Sequence, residues 1–327
     1  MPTSLVTGAN GFAGSHMTEY LLERGHRVIC LVRKTSDLTN LKELEVEYRY
    51  GDVTNAKCLP EALEGVEYVF HFAGKTKAKS AHEFLRVNAV GTKNLAEACC
   101  AENTTVKMLI YVSSLAASGP QQTDLPVDEN MPPRPITVYG RSKLTGEEYV
   151  KRICGGAIRW CIVRPTAVYG PRDSDFFLYF KMISRGWKVS LEGLNPKTSM
   201  IHALDLAQVC YRAATKSPHG ETYVATDGST YTWDDLSSKI EKVMRKRAKR
   251  LTIPLWFLPA AAFYCRISAG LKGKPSILSQ DKLKELRAKG WAADAGKAMD
   301  KIGYVPEFSI DDGFKHALFW YKRQGWL

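Results

Sequence analysis

Residues 3–17 read TSLVTGANGFAGSHM. A short apolar strand runs straight into glycines at 8, 11 and 14, spaced G-x-x-G-x-x-G, and a helical stretch follows. Strand, glycine turn and helix in this order predict a dinucleotide-binding turn. The first glycine permits the tight turn and the middle one lets backbone approach a pyrophosphate. The last lets helix and strand pack closely. The helix would then aim its free N–H groups and its positive dipole end at the phosphates. A plain glycine-rich β–α turn is the alternative reading.

Outward from this turn, apolar runs alternate with helical patterns through two thirds of the chain. TSLVT at 3–7, RVICLV at 27–32, EYVFHF at 67–72, KMLIYVSS at 107–114 and AIRWCIVRP at 157–165 read as strands, with VEYRY at 46–50 a weaker one. Such alternation predicts an α/β fold: a Rossmann-type, doubly wound, mostly parallel sheet covered on both faces. The proline-rich segment 116–137 reads as a loop. Past residue 170 helical pieces dominate, for example 232–248 and 278–289. A smaller, mainly helical substrate domain is therefore expected over 171–327, after a nucleotide-binding domain over 1–170. TSMIHA and ETYVAT still look like strands, so segments near 199–226 should return to the sheet.

The chain has 327 residues, net charge +12 and a pI near 9.2. Its apolar and charged fractions are those of a globular protein. The surplus of positive charge suits an anionic ligand or partner. The eight cysteines show no Cys-x-x-Cys pair and no zinc spacing, so no metal is expected, and buried thiols in a reducing cytoplasm are the simplest reading. The first ten residues lack a basic head followed by an apolar run, so no secretory signal is expected. The basic run RKRAKR at 245–250 reads as a solvated helix end. LTIPLWFLPAAAFYC at 251–265 is uncharged but too short and proline-broken to span a bilayer. It reads as a core or lid helix, or, with the basic run, as a peripheral membrane contact through 245–265.

TVYGRSKLTGEE at 137–148 places Tyr139 and Lys143 four residues apart, on one helix face. With 15 tyrosines and 27 lysines, this spacing arises by accident about once, and it occurs once. Its meaning depends on context. A phenol is a poor base at neutral pH. A neighbouring ammonium favours the phenolate and brings its pKa down, so Tyr139 can exchange a proton with a substrate oxygen. Both Ser113 and Ser114 stand at the end of the preceding strand.

TGANGFAG, GDVT at 51–54, FHFAG at 70–74, VNAVGTKNL at 87–95, YVSS at 111–114, the Tyr139/Lys143 pair and VRPTAVYGP at 163–171 occur in this order. In these motifs the chain resembles the extended branch of the short-chain dehydrogenase/reductase superfamily. That branch includes sugar-nucleotide epimerases and dehydratases, 3β-hydroxysteroid dehydrogenases and dihydroflavonol reductases. The resemblance runs over about residues 3–226, and more thinly to WYKRQGWL at the C-terminus. It implies cofactor contacts from Gly8, Gly11, Phe12, Ala13, Gly14, Asp52, Val53, Phe72, Ala73, Gly74, Pro165 and Val168. It also implies that Lys143 holds the nicotinamide ribose, and counting back from Gly119 it selects Ser114 as the third catalytic member beside Tyr139 and Lys143. Ser114, Lys75 and Thr166 are the substrate-side candidates.

After the second strand stand Arg33 and Lys34, with Ser36 nearby. An acidic residue there suits NAD, whereas arginine grips the 2′-phosphate of NADP. NADP(H) is therefore favoured, with NAD(H) as the alternative if Arg33 only stacks on adenine. Leu115 and Ala116 replace the acidic pair with which related sugar dehydratases dehydrate, which excludes that chemistry. Thr166–Ala167 and Ser118 replace sugar-holding positions. The expectation is an NADP(H)-dependent oxidoreductase interconverting a secondary alcohol and a ketone on an apolar, steroid-, flavonoid- or lipid-like small molecule. An NAD-dependent nucleotide-sugar 4-epimerase and a non-catalytic NAD(P)-binding sensor are the alternatives. No nucleic-acid partner is expected. A homodimer is the analogy the resemblance offers.

Overall fold

A computed structural model describes residues 1–260 and 280–327. Seven strands form the central sheet: β1 (Thr3–Thr7), β2 (Arg27–Val32), β3 (Glu47–Tyr50), β4 (Tyr68–His71), β5 (Met108–Val112), β6 (Arg159–Pro165) and, much later, β11 (Glu221–Ala225). Their order is β3-β2-β1-β4-β5-β6-β11 and every pairing is parallel. The direction of travel reverses at β1, so the crevice beyond the carboxyl ends of β1 and β4 is the switch point where such sheets bind ligands.

Side chains alternate across the sheet, and the two faces build two separate cores. Val6, Val28, Cys30, Phe70, Ile110 and Val163 pack under the helices Phe12–Leu22 and Ala203–Lys216. Leu5, Ile29, Val69, Leu109 and Ile162 pack under Gly91–Cys99 and Val138–Cys154. Burial on both faces explains why these strands read as continuous apolar runs.

The C-terminal part is smaller. The helices Phe177–Ser184, Trp233–Met244 and Ile310–Arg323 enclose an aromatic cluster of Phe176, Phe177, Phe180, Phe314 and Tyr321. The C-terminal WYKRQGWL closes it, with Trp326 stacked on Tyr321. Three short parallel pairs complete it: β7 (Ala167–Tyr169) with β10 (Met200–His202), β8 (Trp187–Leu191) with β12 (Lys249–Ile253), and β9 (Lys197–Thr198) with β13 (Gly290–Trp291). TSMIHA thus pairs with β7 outside the main sheet, whereas ETYVAT supplies its seventh strand.

Two expectations need correction. The segment 116–137 opens inside a helical turn, Leu115–Ser118, because the Ser114 hydroxyl accepts the Ala116 N–H at 3.1 Å. The basic run is not a helix end running into a second helix. The helix stops at Met244, Arg245 turns left-handed (φ 53°), and Lys249–Ile253 pair with Trp187–Leu191 as a strand. Pro254 then ends the strand and Leu255–Phe257 form one 3-10 turn. Residues 261–265 of that stretch lie outside the described residues. Among the described residues, no helix is long and apolar enough to cross a membrane.

Candidate active site

The glycine turn sits at the switch point. Gly8 has φ 69°, and a β-carbon there would lie 2.7 Å from the Ala73 nitrogen, so only glycine lets β1 and the end of β4 meet. The helix Phe12–Leu22 begins at Gly11, and no side chain caps it. Its first N–H groups and dipole therefore stay available to an anion. Phe12 and Ala13 stand in that first turn, and Gly14 packs against the Gly8 carbonyl. Phe72, Ala73 and Gly74 follow β4, and the Ala73 N–H donates to the Thr7 hydroxyl at 3.2 Å.

Beyond β2, Arg33 and Lys34 are exposed. Asp37, the acid in this loop, turns its carboxylate to the Thr39 N–H (2.9 Å) and hydroxyl (2.6 Å). Asp52 accepts the Thr54 N–H (2.8 Å) and hydroxyl (2.9 Å), and Val53 packs against Gly91. Pro165 ends β6, and Val168 lies on β7 near the cleft. The uncapped helix start at the switch point and the exposed basic pair after β2 fit a nicotinamide dinucleotide.

Tyr139 and Lys143 lie in the first turns of the helix Val138–Cys154. Thr137 caps it, its hydroxyl accepting the Gly140 N–H at 2.9 Å, and Asp281 accepts the Val138 N–H at 2.6 Å. A β-carbon at Gly140 would lie 2.2 Å from the Ala116 carbonyl oxygen. That close approach brings the helix against Leu115–Ser118 and sets Tyr139 beside the Ser114 hydroxyl, with which it lines the inner recess. Burial pushes the Tyr139 pKa up, the neighbouring Ser114 hydroxyl lowers it, and the Glu285 carboxylate raises it. Lys143 is buried, with its ammonium 2.6 Å from the Val112 carbonyl oxygen and 4.4 Å over the Tyr111 ring. Burial lowers its pKa to about 7, opposed by Glu147.

Three supporting groups went unread in the sequence. Buried Asn88 accepts the Lys75 N–H (2.7 Å) and donates to the Lys75 carbonyl (3.0 Å) and the Ser142 hydroxyl (3.0 Å). Ser142 in turn donates to the Tyr139 carbonyl at 2.7 Å. Asn88 so ties the loop after β4 to the helix of Tyr139. It lies in a π-turn over Leu85–Val90, and VNAVG was the signal for it. Glu147, one turn beyond Lys143, is fully buried. It accepts the Ser113 hydroxyl (2.6 Å) and both Arg164 Nε (2.9 Å) and Nη2 (2.6 Å). Ser113 is thereby structural, and Ser114 alone faces the cavity. His71 lies between the Thr7 and Thr92 hydroxyls, and burial pushes its pKa down to about 3.

A cleft of about 1260 Å³ opens on Tyr139. Its wall is chiefly apolar and includes Phe84, Val138, Phe176, Leu178, Tyr179, Met182, Val189 and Ile253. An inner recess of about 240 Å³ holds Ser114, Tyr139, Pro165, Thr166 and Glu285. Thr166 is at the recess, although its hydroxyl donates to the Ala225 carbonyl at 3.2 Å. Lys75 lines neither cavity, and its ammonium pairs with Glu83. Among the described residues no cluster of His, Cys, Asp or Glu could hold a metal ion.

This arrangement can protonate or deprotonate one oxygen placed in the recess. The model of the NAD dependent epimerase/dehydratase family matches residues 4–225. Ceramide reductase of Caulobacter vibrioides is 30% identical over 325 residues, 98% of this chain and 95% of that protein. Sterol demethylase protein B of Methylococcus capsulatus is 28% identical over 334 residues, 99% of this chain and 100% of that protein. Among solved structures, the UDP-glucose 4-epimerase of Thermotoga maritima with UDP-glucose superposes with a TM-score of 0.82 at 21% identity. It covers 98% of this chain and 99% of its own, a likeness of fold.

Proposed function

The chain belongs to the NAD dependent epimerase/dehydratase family, the extended short-chain dehydrogenases/reductases, and is an NAD(P)-dependent enzyme; from this premise we propose that it is an NADP(H)-dependent ketone reductase acting on a long-chain, lipid-like substrate. The observation that carries this reading is the apolar cleft whose floor is Tyr139. It offers van der Waals surface to a chain and one polar recess to a carbonyl. The relative named ceramide reductase, matched end to end, supports the same class. Exposed Arg33 and Lys34, with Asp37 turned to Thr39, support the phosphorylated cofactor.

A nicotinamide dinucleotide held at the turn Gly8–Gly14, by Arg33 and by Lys143 would supply the hydride that the carbonyl carbon takes up. The Ser114 hydroxyl donates to the carbonyl oxygen and holds it in the recess. As negative charge grows on that oxygen, Tyr139 gives up its phenolic proton, and the product is a neutral secondary alcohol. The Lys143 ammonium, one turn along the helix, stabilises the phenolate left behind. Alcohol oxidation runs through the same groups in reverse. Leu115 and Ala116 leave no acid–base pair beside Ser114 for dehydration.

The test measures NADPH and NADH consumption with long-chain 3-keto lipids, beside UDP-glucose and UDP-galactose interconversion. NADPH-linked ketone reduction is expected. Epimerisation without ketone turnover would replace this reading by the sugar-nucleotide one.

A further inference from the structure

The strands β8 and β12 form a two-stranded ribbon that walls the cleft. Their register pairs Trp187 with Lys249, Lys188 with Arg250, Val189 with Leu251 and Ser190 with Thr252. Alternation sends each pair to one side. Lys188 and Arg250 turn inward, to Glu241 and Asp234 on the helix Trp233–Met244, and Arg250 and Thr252 line the cleft. Trp187, Lys249 and Leu251 stand at the alternate positions, and although Val189 and Ile253 of that set reach the cleft wall, these three do not.

The ribbon's apolar side chains outside the cleft are open to solvent. Trp187 is 49% exposed, Leu251 48%, and Trp256, just past the ribbon's end, 78%. None of these three lines the cleft, whereas Phe257 and Leu258, immediately after Trp256, do. Outer surface and cleft mouth therefore share one wall. At the other end of the ribbon stand Arg185, Arg245, Arg247 and Lys249, all exposed. The backbone holds them together, with the Lys249 N–H donating to the Gly186 carbonyl at 2.8 Å. None of the four forms an ion pair among the described residues.

Exposed tryptophans and leucine beside four unpaired cations match an anionic lipid interface. Aromatic rings seat at headgroup depth, and basic groups meet lipid phosphates. A second copy of the chain would bring like charges together, and a nucleic acid would leave the apolar residues uncovered. We propose that this face of the ribbon docks the protein on an anionic bilayer, with the cleft mouth at the membrane surface. An apolar substrate then passes from lipid into the cleft without crossing water. The passage rests on the ketone-reductase reading, but the docking does not.

The test is co-sedimentation of the full chain with vesicles of phosphatidylcholine, with and without phosphatidylglycerol, at low and high salt. Binding to the anionic vesicles at low salt is expected. It should weaken about thirtyfold in the double variant Arg247→Glu/Lys249→Glu and about tenfold in Trp256→Ser. Both variants should melt like the parent and keep its KM for a short, water-soluble ketone, while losing their advantage on vesicle-embedded ketone. Absence of anionic-vesicle binding, or binding that neither variant changes, overturns the docking. A dimer dispersed by Trp256→Ser, without vesicle binding, assigns the face to a second copy. Vesicle binding without turnover of any ketone leaves the docking standing and sinks the reductase reading.

Discussion

The Lys143 ammonium donates to the carbonyl oxygen of Val112 at 2.6 Å, so the helix Val138–Cys154 is tied to the end of β5 by a charge buried beneath the cleft. Both the chemistry of Tyr139 and a cost in stability follow from that placement.

Burial lowers the Lys143 pKa to about 7, from 10.5 in the unfolded chain. Below pH 7 both states carry the charge, and the folded state bears the full penalty. Between pH 7 and 10.5 the unfolded state binds the extra proton, so stability rises with pH through that window. Lys143→Met should abolish turnover, yet raise the melting temperature below pH 7 by a margin that fades towards pH 10. Calorimetric melts across this range check it; a variant less stable than the parent at every pH refutes it.

Tyr139→Phe should lower kcat on the order of a thousandfold, the loss of a positioned acid, with cofactor affinity held within about twofold. Cofactor titration beside steady-state assays separates the two effects. Turnover near the parent's would remove Tyr139 from the mechanism.

Glu285 opposes ionisation of Tyr139 from a helix 146 positions away in sequence. Glu285→Gln should let the phenol ionise more readily. The alkaline limb of kcat/KM for ketone reduction then moves to lower pH. A pH profile unchanged between parent and variant would mean that the carboxylate does not reach the reacting group.

Arg33→Asp should reverse the cofactor order, weakening NADPH by more than about tenfold through loss of a bidentate phosphate partner. Fluorescence titration with NADPH and NADH measures both. Equal weakening of the two cofactors would show that Arg33 only covers adenine.

Arg164→Met should cost about 3–5 kcal/mol, because the Glu147 carboxylate stays buried without its cation. The double variant Glu147→Gln/Arg164→Met should recover part of this loss in denaturant unfolding. A double variant as unstable as the single one would locate the cost elsewhere.

Much of the site was legible because its signals are local. Gly8, Gly11 and Gly14 announce a turn through backbone sterics, and a strand before and a helix after are neighbours in the chain. The start of the apolar stretch, residues 251–253, was misread as helical because a short apolar run looks alike in a buried helix and a strand. Hydrogen bonding of Lys249–Ile253 to Trp187–Leu191, 62 residues upstream, decided for the strand. Lys75 was read as a substrate contact because it follows FHFAG. Its ammonium instead meets Glu83, eight residues further along in the short helix Ala81–Phe84.

From sequence alone, then, come the α/β alternation, the glycine turn and the candidate trio Ser114, Tyr139 and Lys143. Periodicity, turn chemistry and motif spacing are properties of neighbouring residues, and the chain carries them before it folds. The tertiary structure alone brings Asn88 to Ser142, Glu147 to Arg164, Asp281 to the start of the helix Val138–Cys154 and Glu285 to Tyr139. It alone shapes the apolar cleft and leaves Trp187, Leu251 and Trp256 uncovered. Burial and pairing across 17 to 146 residues depend on where packing sets the elements, and no stretch of the chain holds that information by itself.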